Sequence, residues 1–233
     1  MSTLLLRLAA PLQSWGVDGK FDRRGTERLP TKSGVVGLLA AALGRRRNDP
    51  IDDLCGLAFG VRVEQEGVLV RDFHTAKSRD TAYVTQRHYL SDAIFLVGVH
   101  GDSGLLMSIE RALNNPAFPL FLGRRSCPPE GRVCLGMRLG KTLLDALHSE
   151  PWHASERTQA NTPPGVRLRI STDASSSDGS SYLQRDVPLS FAQSHRRFGF
   201  RRVTEAPLHP IETLGGQVPP RLRRTSHDAM SEL

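Results

Sequence analysis

Residues 93–113 read Ala-Ile-Phe-Leu-Val-Gly-Val-His-Gly-Asp-Ser-Gly-Leu-Leu-Met-Ser-Ile-Glu-Arg-Ala-Leu, and the change of period inside this stretch decides the fold class. Ala93 to Val99 is a continuous apolar run, which predicts a strand in a central position of its sheet. Asp102 or Ser103 can then cap a helix whose Leu106, Ile109 and Leu113 share one face, with Pro116 just beyond its end.

Moving outward from there, the same strand-then-helix order recurs at the start of the chain. Thr3 to Ala9 (TLLLRLA) predicts a strand buried on both faces, except where Arg7 must reach an edge or a ligand. Val17 to Leu29 has neither regular period and predicts a long loop. Thr31-Lys32-Ser33-Gly34 opens a helix carrying Val35, Leu38, Leu39 and Ala42, and Gly44 suits a left-handed C-terminal cap. Arg45-Arg46-Arg47 then complements the carbonyl-rich helix end.

Between the two units, Val61 and Val63 alternate with Arg62 and Glu64. A turn at Gln65-Glu66-Gly67 leads into Val68 to Val70, so a hairpin is expected, with another strand at Val84 to Leu90. Extended segments near Leu120 and over Val133 to Leu139 complete an order that suits an α+β, ferredoxin-like sheet with its helices on one face. Beyond Thr142, residues 158–165 and 171–181 look like loops, while Val187 to Arg202 returns a strand pair to the sheet. His195 to Arg202 (HRRFGFRR) reads as an edge strand with Phe198 and Phe200 on the core face and its arginines guarding the edge. The prolines and basic residues after Pro207 predict a mobile tail over 208–233.

Lysine and arginine number 31 against 24 acidic residues, a formal charge of +7, and the excess favours a polyanionic partner. Arginine supplies most of it, and its planar fork suits phosphate oxygens and stacks on bases. Three cysteines, with no secretory pattern at the start, predict reduced thiols in a cytoplasmic protein. No apolar stretch reaches the length needed to cross a bilayer, so no membrane partner is expected.

Three segments can carry chemistry. Arg71 to Asp92 interleaves Arg71, Lys77, Arg79 and Arg87 with Phe73, Tyr83 and Tyr89 and adds His74 and His88. Cations among aromatics hold unpaired RNA by phosphate contact and base stacking, and two strands around a polar tip make a projecting hairpin. The plain alternative is a solvated hairpin whose aromatics pack on the body. Gly123-Arg124-Arg125-Ser126 follows an apolar run and precedes Cys127-Pro128-Pro129, offering close backbone approach and several phosphate donors, or else an ordinary basic turn. The start of the first helix, with Lys32 and Ser33, favours an anion but lacks the phosphate-loop spacing, and most such starts are simply capped. Cysteine and histidine spacings give no zinc pattern, and no cofactor is expected.

Taken in order, Leu6 to Gly16, Pro30 to Leu39, Arg71 to Thr75, Tyr89 to Ala93 and Leu122 to Pro128 resemble the CasD family of type I-E CRISPR Cascade subunits, within the RAMP superfamily. The resemblance implies a ferredoxin-like, RRM-like domain over 1–140 with a β-hairpin thumb at about 71–92, and a smaller, mostly β extension over 141–207. It implies a non-catalytic subunit that holds the 5′ handle of the guide RNA (crRNA), caps the CasC backbone, touches the large CasA subunit, and meets target DNA only through the complex. Lys32, Ser33, Arg71, His74, Lys77, Arg79, Arg87, Tyr89, Arg124, Arg125 and Ser126 are the expected RNA contacts. The competing reading is a metal-independent endoribonuclease of CRISPR precursor RNA, using His74 as acid or base and Lys77 to steady phosphate charge.

Overall fold

The first strand, β1 (Ser2–Ala9), pairs antiparallel with β7 (Ile94–Gly101) on one side and β8 (Cys134–Leu139) on the other. The structure, a computed structural model, describes residues 1–16, 23–77, 81–163, 165–174, 180–192 and 194–210. Alternate residues of β1 serve two cores. Leu4, Leu6 and Leu8 pack beneath α1 (Lys32–Ala42) and α3 (Ser103–Asn114), whereas Leu5 joins Leu96, Ala146, Leu147 and Ile170 beneath α4 (Leu143–Ser149). Burial on both faces is why this strand and β7 are apolar nearly throughout. The expectation of helices on one face alone is therefore corrected, since α4 covers the second.

Helix starts and stops follow the local chemistry. Thr31 Oγ1 accepts from Gly34 N at 3.2 Å, Asp102 Oδ1 accepts from Leu105 N at 2.9 Å, and Gly44 ends α1 with φ +77°. Arg45 does not serve the helix end with its side chain: it forks onto Asp53 in α2 (Asp52–Cys55) at 2.5 Å and donates to Pro50 O.

Sheet order is β10-β11-β9-β4-β7-β1-β8, adding β4 (Ala58–Gln65), β9 (Arg167–Asp173), β10 (Ser181–Ser190) and β11 (Arg197–Pro210), with every pairing antiparallel. Gly60 and Gly98 are cross-strand partners beneath α4. A Cβ at Gly98 would lie 2.6 Å from Leu143 Cδ1, and one at Gly60 3.0 Å from Leu147 Cδ1, so two missing side chains set how closely α4 docks.

The expected hairpin across residues 61–70 does not form. β4 stays in the large sheet, while β5 (Val68–Lys77) pairs with β6 (Ala82–Ser91) in a second sheet whose other edge carries β2 (Leu12–Gln13) and β3 (Arg23–Arg24). The chain changes sheets at Gly67, where a Cβ would sit 2.7 Å from that of Ala93. Nor does the alternation in β4 mark a wet face, because Arg62 and Glu64 are 0% and 2% exposed. Arg62 donates to both Glu64 carboxylate oxygens and to the carbonyls of Leu147, Glu150 (2.8 Å) and Pro151 (2.7 Å), so all five guanidinium hydrogens are used and three of them close the end of α4.

Farther along, residues 158–165 are not all loop: α5 (Glu156–Asn161) forms behind a Ser155 cap, and β9 runs to Asp173. β10, not β11, is the edge strand, and Phe200 is 64% exposed, so the core-facing reading of the HRRFGFRR strand is corrected. Its neighbour Arg201 is the residue that turns inward. Ordered strand continues to Pro210, past the expected boundary at 207, and the remainder of the anticipated tail lies outside the described residues.

Candidate nucleic-acid interface

The register of β5 and β6 divides the hairpin's functional candidates between two faces. Partners Val70–Tyr89, Asp72–Arg87 and His74–Thr85 share one face, whereas Arg71–His88, Phe73–Gln86, Thr75–Val84 and Lys77–Ala82 share the other. Arg71 stacks on Phe73 at 4.9 Å on that second face. Arg71 and Lys77 therefore do not join Arg87 and Tyr89, and Arg79 lies outside the described residues.

The first face meets the Gly123–Ser126 turn at the base of the hairpin. Gly123 has φ +85°, and a Cβ there would lie 1.6 Å from Ser14 O, so glycine is demanded twice over. Ser14 in turn donates through its amide to Leu122 O at 3.2 Å and through its hydroxyl to His88 O at 3.2 Å, clasping turn to hairpin. Gln13 and Trp15 brace this clasp from below: Gln13 Nε2 donates to Ala93 O at 2.7 Å, and Trp15 Nε1 donates to Gln13 Oε1.

With the turn so placed, the Arg124 guanidinium carbon lies 4.6 Å from the centroid of the Tyr89 ring, and Arg124 Nη2 donates to Arg24 O at 2.8 Å and Gly25 O at 3.2 Å. Tyr89 is only 3% exposed, so it supports the arginine and presents no face on which a base could stack. Burial works to raise the Tyr89 phenol, but hydrogen bonds with Ser126 and Arg124, the Arg124 charge and a further bond with Arg87 outweigh it and leave its pKa below the ordinary tyrosine value. Arg125 and Ser126 are exposed beside this stack. A residue missed in the sequence belongs here as well: Arg24 pairs in parallel with Arg87 and is exposed, whereas its exposed neighbour Arg23 pairs with Gln86 and falls on the other face. Its signal was an arginine pair inside an aperiodic, glycine-punctuated stretch, which by itself predicts only a loop. Arg24, Arg87, Arg124 and Arg125 thus converge from three chain segments, with Asp72 as the carboxylate on the same hairpin face.

Lys32 and Ser33 stand elsewhere and are buried, at 7% and 5% exposed. The amide of Lys32 donates to Asp186 Oδ2 at 2.8 Å and its ammonium pairs with Asp173 at 3.2 Å. Arg201 bridges the same two carboxylates at 2.7 Å each. Burial works against the Arg201 charge, yet bonds and attraction from Asp186 and Asp173 prevail and raise its pKa. The chain's own carboxylates fill this helix start, so Lys32 and Ser33 leave the set of expected RNA contacts.

With the geometry in view, the family model described as "CRISPR-associated protein (Cas_Cas5)" matches residues 3–204. The chain belongs to the Cas5 family. Among its relatives is "CRISPR system Cascade subunit CasD" of Escherichia coli (strain K12), 37% identical over 58% of this chain and 70% of that protein. A solved structure titled "Crystal structure of Cas protein" superposes with a TM-score of 0.71 at 40% identity, covering 93% of this chain and all (100%) of the other. Another, "CRISPR RNA-guided surveillance complex", gives 0.73 at 30% identity over 90% and 91%. The mixed α/β architecture, mostly sheet with few helices, is thus shared with Cas5 structures.

In this Cas5 chain the groups suited to catalysis are dispersed. His74 lies against Asp72, and Lys77 is on the opposite hairpin face. His74 and Tyr89 share a face, but the register sets them four residues apart along it, about 14 Å. Burial raises the pKa of all three thiols, of Cys55, Cys127 and Cys134. Among the described residues no three His, Cys, Asp or Glu side chains cluster as metal ligands, and no helix is long and apolar enough to cross a membrane.

Proposed function

We propose that this Cas5-family chain is a non-catalytic, guide-RNA-binding subunit of a type I-E Cascade-like complex in the cytoplasm. It holds the 5′ handle of the guide and caps a CasC-type backbone next to a CasA-type large subunit, meeting target DNA only through the complex. The observation that carries this reading is the arginine cluster at the hairpin base. Arg124 is fixed on the buried Tyr89 ring, Arg87 and Arg125 flank it, and Arg24 extends the positive track. Preset guanidinium forks suit phosphates spaced along an unpaired strand. Arg87 Nε and Arg124 Nη1 are buried without a hydrogen-bond partner among the described residues, an arrangement that favours a bound anion nearby.

Two further features support the family architecture. In the order β8-β1-β7-β4, α1 follows β1 and α3 follows β7, which is the connectivity of a ferredoxin-like, RRM-like RAMP domain over residues 1–140. The β5–β6 ribbon corresponds to the thumb, and residues 141–207 extend the sheet past β4. RNA contacts are assigned to Arg87, Arg124, Arg125 and Ser126, with Arg24 added, while Arg71, His74 and Lys77 meet RNA through the outer hairpin.

Replacing Arg124 and Arg125 together with alanine tests this. Guide loading into the assembled complex should fall, and the slope of log affinity against log salt should lessen by about 1.4 if both arginines neutralise phosphates of a single strand. Normal loading and an unchanged slope at physiological salt would remove the site. Specific cleavage of repeat RNA in EDTA, abolished by His74→Ala, would replace the binding role with a nuclease.

A further inference from the structure

The arginine- and phenylalanine-rich strand near the C-terminus is used neither by the hairpin-base cluster nor by the core. Between Ser180 and Thr204 the chain carries five arginines and one carboxylate, Asp186. That carboxylate is fully buried and neutralised by Arg201 at 2.7 Å. Because side chains alternate along β11, Phe200, Arg202 and Thr204 project from the face opposite Arg201. Their partners across the ladder add Ser181 and Leu183 to that face, through Ser181–Thr204 and Leu183–Arg202. Arg202 donates to Ser181 Oγ at 3.3 Å, which agrees with this placement and leaves the serine hydroxyl hydrogen free to donate.

Phe200 and Leu183 are 64% and 63% exposed, so an aromatic ring, an aliphatic chain and a guanidinium lie side by side on open sheet with no carboxylate among them. The mount is rigid: on the opposite face Arg201, Asp186 and Asp173 tie the hairpin to the start of α1. A ring on a fixed sheet beside a cation is the means by which β-surfaces hold unpaired nucleotides. Among the described residues this face carries no carboxylate, which complements a polyanion better than a mixed-charge protein surface does.

We propose that the open face of the β10–β11 hairpin is a second contact for single-stranded RNA: a base stacks on Phe200, the adjoining phosphate meets Arg202, and Ser181 meets the ribose 2′-hydroxyl. This goes beyond the hairpin-base site and stands or falls separately from it.

The test measures affinity of the full chain for a mixed-sequence single-stranded RNA oligonucleotide, in the parent and in an Arg124→Ala/Arg125→Ala background. Phe200→Ala should weaken binding about tenfold in both backgrounds, the loss of one stacked base, while Phe200→Tyr retains it. Arg202→Gln should lower the salt slope by about 0.7, and it provides a second reading if Phe200→Ala loosens the hairpin. Single-stranded DNA of the same sequence should bind more weakly; equal binding overturns the assignment to ribose. Parental affinity in both Phe200→Ala and Arg202→Gln overturns the proposal, and if those variants instead fail to assemble with other subunits the face is a protein surface. Loss confined to the Arg124 and Arg125 variants upholds the first site alone.

Discussion

Two basic regions of this chain look alike in the sequence and differ in what answers their charge. At the start of α1, the Lys32 ammonium and amide meet Asp173 and Asp186, and Arg201 locks the four charges together. At the hairpin base, Arg87, Arg124 and Arg125 converge around one buried tyrosine, with Asp72 opposite Arg87 as the carboxylate on their hairpin face. The lesson is that a cation-rich motif is left with charge to offer a ligand only where the fold brings it fewer carboxylates than cations.

The comparison breaks most readily at Asp186. Asp186→Ala should destabilise the fold by about 3–5 kcal/mol, because Arg201 is left with a buried, half-paired charge and the Lys32 amide loses its acceptor. A urea unfolding curve measures this, and a small change would mean that the buried cluster is not structural. Gly123→Ala comes next. Both the left-handed backbone and the collision with Ser14 O oppose it, at a cost of about 1–3 kcal/mol, and the displaced Arg124 should lower RNA affinity in the same variant. Unfolding and RNA titration of one preparation check the coupling.

Lys32→Met sharpens the contrast from the other side. It should lower stability by about 1 kcal/mol while leaving RNA affinity and its salt slope untouched. Weaker RNA binding with unchanged stability would return Lys32 to the RNA site. The smallest effect belongs to Tyr89→Phe, read by alkaline titration of phenolate absorbance. Tyr89 ionises below the ordinary tyrosine value, so the variant should lack the earliest phase. In the window between the lowered folded value and the ordinary one, the unfolded chain binds more protons, so this group's contribution to stability increases as pH rises. Below that window it contributes no pH dependence.

Much of the architecture was legible because its causes are local. The caps at Thr31 and Asp102, the Gly44 stop, and the two-sided apolar runs of β1 and β7 each state their element in a few consecutive residues. β4 defeated the same reasoning: Arg62 and Glu64 mimic a solvated face, yet they neutralise one another and close α4 from 85 or more residues away. The hairpin and the Gly123–Ser126 turn were both visible as candidates, but not that Tyr89 faces inward, nor that register sets Arg71 and Lys77 on the far side. Arg24 was missed because a two-residue strand has no period to detect.

The bond from the Lys32 amide to Asp186 spans 154 positions of chain. At roughly 5–20 residues per second of synthesis, the aspartate leaves the ribosome about ten to thirty seconds after the lysine it will serve. Throughout that interval Lys32 lacks the Asp186 carboxylate that accepts from its amide in the folded chain. Only a chain that has reached both Asp173 and Asp186 can answer the Lys32 ammonium and its amide, so truncation before codon 173 would remove both partners.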